Sequence, residues 1–358
     1  MSEDQYEESS AGWDAIDAAL EAVYGSQEPK HYGTVIPYSL GGPDPLNGIS
    51  VYEVQTPLPH WHFVTYGFTE LYEKEFEDPD YSGYGFELTL RLLKAADEEE
   101  PPAWALNLLQ NLGRYVFGSG NLFRSGDYMD ANGPIRLESD TKLTALSFIE
   151  DPLLPPMDTP NGRVEFIQLV GITHDELEAM QLWNTLGLLR TLEEHLPLYI
   201  TDLDRDSLLQ LPAVAAAVET GMEREGSNTG FLYVDQLAWD TDTEAKGASG
   251  APAGELRLGA KQAEIVGKLL RGRLLKGKTL ALASRDIHVT LQPGEQASVT
   301  ESEDGIVLTL DNGAAAALSS RLRPVAESFT LAELPGAAIR ILPTYIKDTE
   351  GNVVKTIG

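Results

Sequence analysis

The chain has 358 residues, of which 42% are hydrophobic, and a formal net charge of −30 at pH 7. Domains usually contain ~100–200 residues, so this length predicts one large domain or two smaller ones with packed cores. The negative charge repels phosphate backbones and disfavours nucleic acid as a partner, and the absence of cysteine excludes disulfides, thiolate metal sites and cysteine nucleophiles.

The sequence also carries no sign of a membrane span or of export. No segment approaches the ~20 apolar residues that cross a bilayer. The acidic, polar start of the chain lacks the basic and apolar regions of a signal peptide. We therefore expect a cytoplasmic protein.

The first predicted elements are a helix and a strand. Apolar residues recur at three- and four-residue steps from Trp13 to Tyr24, which predicts a helix that ends at Gly25. Further along, FELTLRL (86–92) alternates strictly between apolar and polar residues, which predicts a strand with one buried face. A second helix is predicted after Pro101 and Pro102, with an apolar face. That face comprises Trp104, Leu108, Leu112 and Tyr115.

The middle of the chain predicts a buried strand and a capped helix. The run VEFIQLVGI (164–172) is almost continuously apolar, which indicates a strand with both faces covered. Thr173 and Glu176 have the spacing of a capping box at the start of a helix. That helix passes through Trp183 and could extend, with a kink, to His195.

Composition changes between Glu219 and Glu255, where small and polar residues dominate. We therefore predict an N-terminal domain at 1–225, a linker and flexible loop at 226–254 and a C-terminal domain at 255–358. Beyond the loop, the pattern predicts a helix over 259–270 and several strands. The strands are KTLALA, DIHVTLQ, GIVLTL and AIRILPTYI, with DNG after GIVLTL as a turn.

His60 and His62 are the strongest candidates for a metal site. On a strand their side chains would lie on one face and could approach the same ion. Glu70, Glu73 and Glu75 are nearby candidates for a third ligand. The large aromatic residues around the pair favour the other interpretation, a core strand with hydrogen-bonded imidazoles. A metal-dependent hydrolase centred on His60 and His62 is therefore the alternative function. For the favoured interpretation we predict no cofactor.

No common catalytic or nucleotide-binding motif is present. The sequence lacks G-x-S-x-G, G-x-G-x-x-G after a strand, and G-x-x-x-x-G-K-[ST]. Glu150 and Asp151 are paired acids that could act in acid–base chemistry. Their position at the end of the predicted strand TKLTALSFIED favours a structural strand end instead.

Several segments together resemble the Suppressor of fused family, in family order and with similar spacings. They are LGGPDPL (40–46), HWHFVTYGFTELY (60–72), SGYGFELTLRL (82–92), RYVF (114–117), SGD (125–127), EDP (150–152), FIQLVGIT (166–173) and ITDLDR (200–205). AWD (238–240) and ILPTYIKD (341–348) fall where the family's C-terminal domain would begin and end.

The resemblance implies an α/β (α+β) protein of two domains, each a mixed β-sheet packed with helices, and no catalysis. It implies a partner peptide clamped as an added strand between the domains, with Tyr115, Asp127 and Glu150 as contact residues. The cysteine-free, acidic composition fits a bacterial member, for which a role as an immunity protein that neutralises a toxin has been proposed. The animal family's long insert is reduced here to a short loop near 241–254.

Overall fold

The computed structural model describes residues 10–36, 38–241, 254–302, 305–347 and 351–358. The chain forms two compact units. Unit 1 comprises Met1–Leu177 and Leu188–Val214, and unit 2 comprises Glu178–Gly187 and Ala215–Gly358. The domain limits expected from composition, 1–225 and 255–358, stay a prediction. Most of the predicted flexible loop, at 242–253, lies outside the described residues.

Unit 1 is built on one mixed sheet. The elements from the start of the chain to the end of α5 are α1 (Ala11–Tyr24), β1 (Lys30–Gly33), β2 (Gly48–Val54), β3 (His60–Tyr66), β4 (Tyr81–Leu93), α2 (Ala103–Ser119), β5 (Tyr128–Asp130), β6 (Leu143–Glu150), β7 (Met157–Thr159), β8 (Gly162–Thr173), α3 (His174–Leu182), α4 (Thr185–Leu192) and α5 (Pro212–Glu225). The strand order is β1-β2-β3-β4-β8-β6-β5, with β7 paired to β8. β4 and β8 run parallel and the other pairs are antiparallel.

Helices α1 and α2 pack against different apolar clusters of this sheet. Ile16 and Leu20 of α1 join a cluster with Val64 of β3. Leu109 of α2 joins another cluster with Phe63, the neighbour of Val64 on the same strand. Because successive side chains of a strand point to opposite faces, the two helices cover opposite faces of the sheet.

This arrangement corrects the prediction that β4 is half-buried. Leu88 and Leu90 lie in the α2-side cluster, as their alternation predicted. The intervening Glu87, Thr89 and Arg91 are nevertheless fully buried as well. The polar face of the strand is therefore inside unit 1, where its side chains need hydrogen-bonding partners.

The predicted helices of unit 1 are present with two corrections. The second helix buries Ala105, Leu109, Leu112 and Val116, whereas Tyr115 is exposed. The predicted helix through Trp183, with a kinked continuation to His195, is two helices, because α3 ends at Leu182 and α4 runs from Thr185 to Leu192.

The glutamate half of the predicted capping box at the start of α3 is present, whereas the Thr173 hydroxyl donates to Asp175 Oδ1 over 2.5 Å instead of accepting from the helix backbone. The backbone N–H of Thr173 donates to Glu176 Oε2 over 3.0 Å. The buried Glu176 carboxylate also accepts from both terminal nitrogens of Arg205, each over 2.7 Å. One carboxylate thus caps the helix and fixes the segment that carries Arg205.

Unit 2 contains two larger sheets and a hairpin. Its remaining elements are β9 (Phe231–Tyr233), β10 (Leu237–Asp240), β11 (Gly254–Gly259), α6 (Ala260–Arg273), β12 (Leu280–Ala283), β13 (His288–Pro293), β14 (Ser298–Ser302), β15 (Gly305–Leu310), α7 (Asn312–Arg321), β16 (Glu327–Leu331), β17 (Leu334–Leu342), β18 (Thr344–Lys347) and β19 (Val353–Ile357). The sheets have the orders β10-β11-β17-β16 and β14-β15-β13-β12-β9, and β18 pairs with β19. The mixed α/β fold expected from the sequence is confirmed.

The predicted strands of unit 2 are present, but the DNG turn is wrong. Asp311 is the N-cap of α7, and its Oδ1 accepts from the N–H of Ala314 over 2.8 Å. The same residue types favour turns and helix starts, which explains the error.

Among the described residues, no helix is both long and apolar enough to cross a bilayer.

Candidate functional site

Tyr115 lies on α2, and its ring packs on a second aromatic ring. Its side chain is 40% exposed. The ring stacks on Phe123 with centroids 5.7 Å apart, and Phe123 stacks on the buried Phe148 at 4.3 Å. The Tyr115 hydroxyl accepts from Asn121 Nδ2 over 3.0 Å. Tyr115 therefore presents a ring of fixed orientation at the surface.

Asp127 belongs to a turn that is bonded to the end of β6. Its Oδ2 accepts from the N–H of Arg124 over 2.8 Å. The N–H of Phe148 donates to the Asp127 carbonyl over 3.0 Å, and the N–H of Gly126 donates to the Phe148 carbonyl over 2.8 Å. These main-chain bonds fix an exposed carboxylate beside the strand.

Glu150 is the last residue of β6 and lies against the same turn. Its N–H donates to Ser125 Oγ over 3.2 Å, and its side chain is exposed. Phe148, two residues earlier, contacts both the Asp127 turn and the ring that supports Tyr115. The structure therefore brings the three predicted contact residues into one neighbourhood of unit 1.

This neighbourhood adjoins the edge of the unit 1 sheet. β5, which directly follows Asp127, is the last strand in the sheet order and pairs with β6 over three residues. An edge strand has backbone N–H and C=O groups that an added strand can pair with. Exposed carboxylates beside such an edge can bind a basic or imidazole group by charge-assisted hydrogen bonds.

His60 and His62 lie in the core of unit 1. Both side chains are fully buried on β3. His60 Nδ1 lies 2.7 Å from the Leu58 carbonyl oxygen, and His62 Nδ1 lies 2.6 Å from the Tyr24 hydroxyl. Within the described parts of the chain, no group of three histidine, aspartate or glutamate side chains is placed to hold a metal ion.

The carboxylates considered as third metal ligands, all of them in the described part of the chain, do not complete a metal site with His60 and His62. Glu70 accepts from Lys74 Nζ over 2.8 Å, from the N–H of Phe76 over 2.6 Å and from the N–H of Gly83 over 3.0 Å. Burial opposes its ionisation, but these donors outweigh burial and lower the pKa of Glu70. Its carboxylate thus organises the following loop, and Glu73 and Glu75 are exposed there.

Asp151 is the centre of a buried polar network that the sequence analysis missed. The sequence pattern favoured a strand end for this residue, with acid–base chemistry as the alternative. Its carboxylate accepts from Arg91 Nη1 over 2.6 Å and Nη2 over 3.0 Å, and from Thr89 Oγ1 over 2.7 Å. His62 Nε2 lies 3.3 Å from Asp151 Oδ2. The strict alternation of FELTLRL is compatible with this network, because alternation places the polar residues on one face of the strand but does not say whether that face is exposed or buried.

The electrostatics of this network are set by burial and by the arginine. Burial, with the nearby Arg91 charge, lowers the pKa of His62 to about 4, although Asp151 acts in the opposite direction. Burial opposes ionisation of Asp151, but His62 and Arg91 outweigh it and hold the pKa of Asp151 well below its usual range. The imidazole is therefore neutral and the carboxylate ionised near pH 7.

A second buried carboxylate, Glu87, has no basic partner among the described residues. It accepts from Thr65 Oγ1 and Thr69 Oγ1, each over 2.6 Å, and from the N–H groups of Gly67 and Thr69, each over 3.0 Å. Burial raises the pKa of Glu87 to about 7, although these hydrogen bonds act against burial. The Glu87 side chain therefore stabilises the turn after β3. It is not part of an exposed binding site.

Comparisons with known proteins agree with this architecture. Residues 42–206 match the family model of the Suppressor of fused protein. The human Suppressor of fused homolog is 37% identical over 245 residues, which cover 62% of this chain and 50% of the human protein. The mouse homolog is 36% identical over the same length. The chain thus spans about half the length of the curated relatives it matches.

Two solved structures extend the comparison. The crystal structure of Drosophila Suppressor of Fused superposes with a TM-score of 0.77 over 93% of this chain and 97% of that chain, at 23% identity, which supports the fold. A chain of the Sufu-Fu complex crystal structure is 33% identical, with a TM-score of 0.54 over 59% of this chain and 98% of that chain. On the family model and these relatives, the chain belongs to the Suppressor of fused family.

Proposed function

We propose that this chain is a non-enzymatic protein-binding module that sequesters a partner by holding a peptide segment at Tyr115, Asp127 and Glu150. The observation that carries the proposal is the convergence of these residues beside the edge strand β5. A relative has been solved as the Sufu-Fu complex, which supports protein binding as the activity. The proposal includes the clamping of the peptide between the two domains.

The chemistry of the site defines the peptide it would take. Strand addition supplies main-chain hydrogen bonds that are independent of sequence, and side-chain contacts then supply specificity. Asp127 and Glu150 favour a histidine or basic side chain, because each carboxylate is exposed and ready to accept. The Tyr115 ring adds an aromatic contact of the type that is enriched in binding hot spots.

The test is capture of a partner from the native host with matched variants of the full chain. Immobilised wild type and the control Glu193→Ala/Glu194→Ala, which removes two exposed acids elsewhere in unit 1, should retain the same protein. Asp127→Ala/Glu150→Ala should lose it. Identical behaviour of all three chains would contradict the assignment of the site, and recovery of no partner would count against the function.

A more specific form of the proposal is a bacterial immunity protein that acts in the cytoplasm. Its partner would be a toxin, neutralised by direct binding without chemistry. Co-expression with a toxin encoded by a neighbouring gene should then restore growth, and the Asp127→Ala/Glu150→Ala chain should not. Failure of the wild-type chain to restore growth would exclude that toxin as the partner.

The alternative function, a metal-dependent hydrolase at His60 and His62, draws no support from the described residues. Both imidazoles are buried and bonded within unit 1, and no third ligand joins them. Elemental analysis of the purified chain separates the two functions. Stoichiometric zinc that is lost in His60→Ala would contradict the proposed binding-only role.

A further inference from the structure

Unit 1 exposes a row of aromatic rings that the proposed function does not use. Tyr38, Phe117, Tyr84 and Phe76 contact one another in this order, with centroid distances of 5.6, 4.9 and 5.6 Å and edge-to-face geometry throughout. We call these four residues the ring row. Tyr38 is 50% exposed and Phe76 is 46% exposed, while the two middle rings are partly buried. Exposed contiguous apolar surface on a folded protein commonly marks an interaction site.

The two middle rings of the ring row lie on rigid elements. Phe117 is on α2, where its ring also lies 6.2 Å from the buried Phe68. Tyr84 is on β4, and its N–H donates to the Phe68 carbonyl over 2.8 Å. The rings therefore form a preorganised surface, which reduces the entropy lost on binding.

The loop that carries Phe76 is acidic and firmly held. Residues 73–80 contain five acidic side chains and one basic side chain, all exposed. The base, Lys74, is bound to the Glu70 carboxylate at 2.8 Å. The same carboxylate accepts from the N–H of Phe76 over 2.6 Å. The other acids of the loop therefore lie beside the ring row on a backbone that Glu70 holds, and Lys74 does not neutralise their charge. These acids are Glu73, Glu75, Glu77, Asp78 and Asp80.

We propose that the ring row and the 73–80 loop together form a docking surface for a protein segment that packs an apolar side chain on the exposed rings and places lysine or arginine against the loop. Apolar rings favour an aliphatic or aromatic anchor. The acidic loop requires positive charge on the occupant and disfavours a second copy of this chain, whose net charge is −30. This surface goes beyond the site at Tyr115, Asp127 and Glu150, and its test does not depend on that site.

The experiment selects displayed random 12-residue peptides on the full chain and measures the synthesised winners by fluorescence anisotropy. We expect enriched peptides with an aromatic or branched aliphatic residue flanked by lysine or arginine. Their affinity should fall at least tenfold for Phe76→Ser and for Glu75→Lys/Glu77→Lys. Matched controls, Tyr345→Ser at an exposed position of unit 2 and Glu193→Lys/Glu194→Lys, should bind like wild type.

Further measurements identify the outcomes that overturn the proposal. No enrichment, or equal affinity for the ring-row variants and the controls, overturns it. Peptides that lose binding only in Asp127→Asn/Glu150→Gln occupy the other site, which also overturns it. If sedimentation shows a dimer that Phe76→Ser dissociates, a second copy covers the rings and the proposed occupant is wrong. Circular dichroism and urea unfolding of Phe76→Ser check that a loss of affinity comes from a folded chain.

Discussion

Arg91 and Asp151 form a fully buried ion pair with two parallel hydrogen bonds, Nη1 to Oδ2 at 2.6 Å and Nη2 to Oδ1 at 3.0 Å. Removing one partner of such a pair leaves an uncompensated charge in the core. Arg91→Met should therefore lower the free energy of unfolding by ~3–5 kcal/mol. Urea unfolding at pH 7 measures this change.

The control for that prediction is an exposed ion pair of the same unit. Lys142 and Asp206 are paired with side-chain exposures of 66% and 59%. Lys142→Met should change the free energy of unfolding by less than ~1 kcal/mol, because water and salt screen exposed pairs. Equal effects of the two substitutions would show that the burial of the Arg91 pair has no energetic consequence.

Glu87 should make unit 1 less stable as the pH rises from acid to neutral. Its pKa is raised from 4.5 to about 7 in the folded chain. The folded state then binds a proton more tightly than the unfolded state, so the stabilisation is complete below pH 4.5 and is lost as the pH rises through about 7. The total effect is about 3 kcal/mol, because each tenfold difference in proton affinity between the two states corresponds to ~1.4 kcal/mol.

Glu87→Gln isolates this effect. Glutamine imitates the protonated acid, since it stays neutral and keeps both an acceptor and a donor near Thr65. We expect the stability of wild type relative to Glu87→Gln to fall between pH 4.5 and 7 when unfolding by urea is followed in matched buffers. Parallel pH profiles for the two chains would contradict the raised pKa.

His62 should have the opposite pH dependence. Its pKa is lowered from 6.5 to about 4, chiefly by burial. The unfolded chain then binds the proton more tightly, so the stabilisation is present above pH 6.5 and is lost as the pH falls through about 4. Nuclear magnetic resonance titration of the His62 imidazole should show a midpoint near 4. A midpoint near 6.5 would mean that the ring is accessible to water in the folded chain.

The sequence predicted elements better than it predicted their surroundings. Alternation identified β4, but alternation alone cannot say whether a polar face meets water or a second helix. Glu87 and Arg91 were thus placed on the outer face, whereas α1 covers that face of the sheet and both are buried. The paired acids Glu150 and Asp151 show the same limit of sequence patterns, because adjacent side chains at the end of a strand can point into different environments. Glu150 is exposed and Asp151 lies in the core.

The candidate site could be predicted only through the family resemblance. Tyr115, Asp127 and Glu150 lie on a helix, a turn and a strand end, and no local pattern joins them. Phe123 and Phe148 connect them in the structure, through stacking and main-chain bonds that depend on tertiary packing. The helical periodicity even assigned Tyr115 to the buried face of α2, because an aromatic residue at that spacing is typical of a core position.

The support of Tyr115 by Phe123 gives a test that separates binding from stability. Phe123 is 6% exposed and stacks on Tyr115 and Phe148. Phe123→Leu keeps an apolar side chain but removes both stacking contacts, each worth ~0.5–1.5 kcal/mol beyond area burial. We expect ~1–3 kcal/mol of lost stability and a several-fold weaker capture of the partner that wild type retains, because the tyrosine ring loses its support.

The matched control for this test is Phe329→Leu in unit 2, where the phenylalanine is 8% exposed. It should reduce stability without affecting capture, since Phe329 belongs to the core of the other unit. Urea unfolding and quantified capture at one temperature provide the two readouts. If Phe123→Leu retains the partner as well as Phe329→Leu does, the orientation of the Tyr115 ring does not contribute to binding, and the carboxylates of Asp127 and Glu150 must account for recognition.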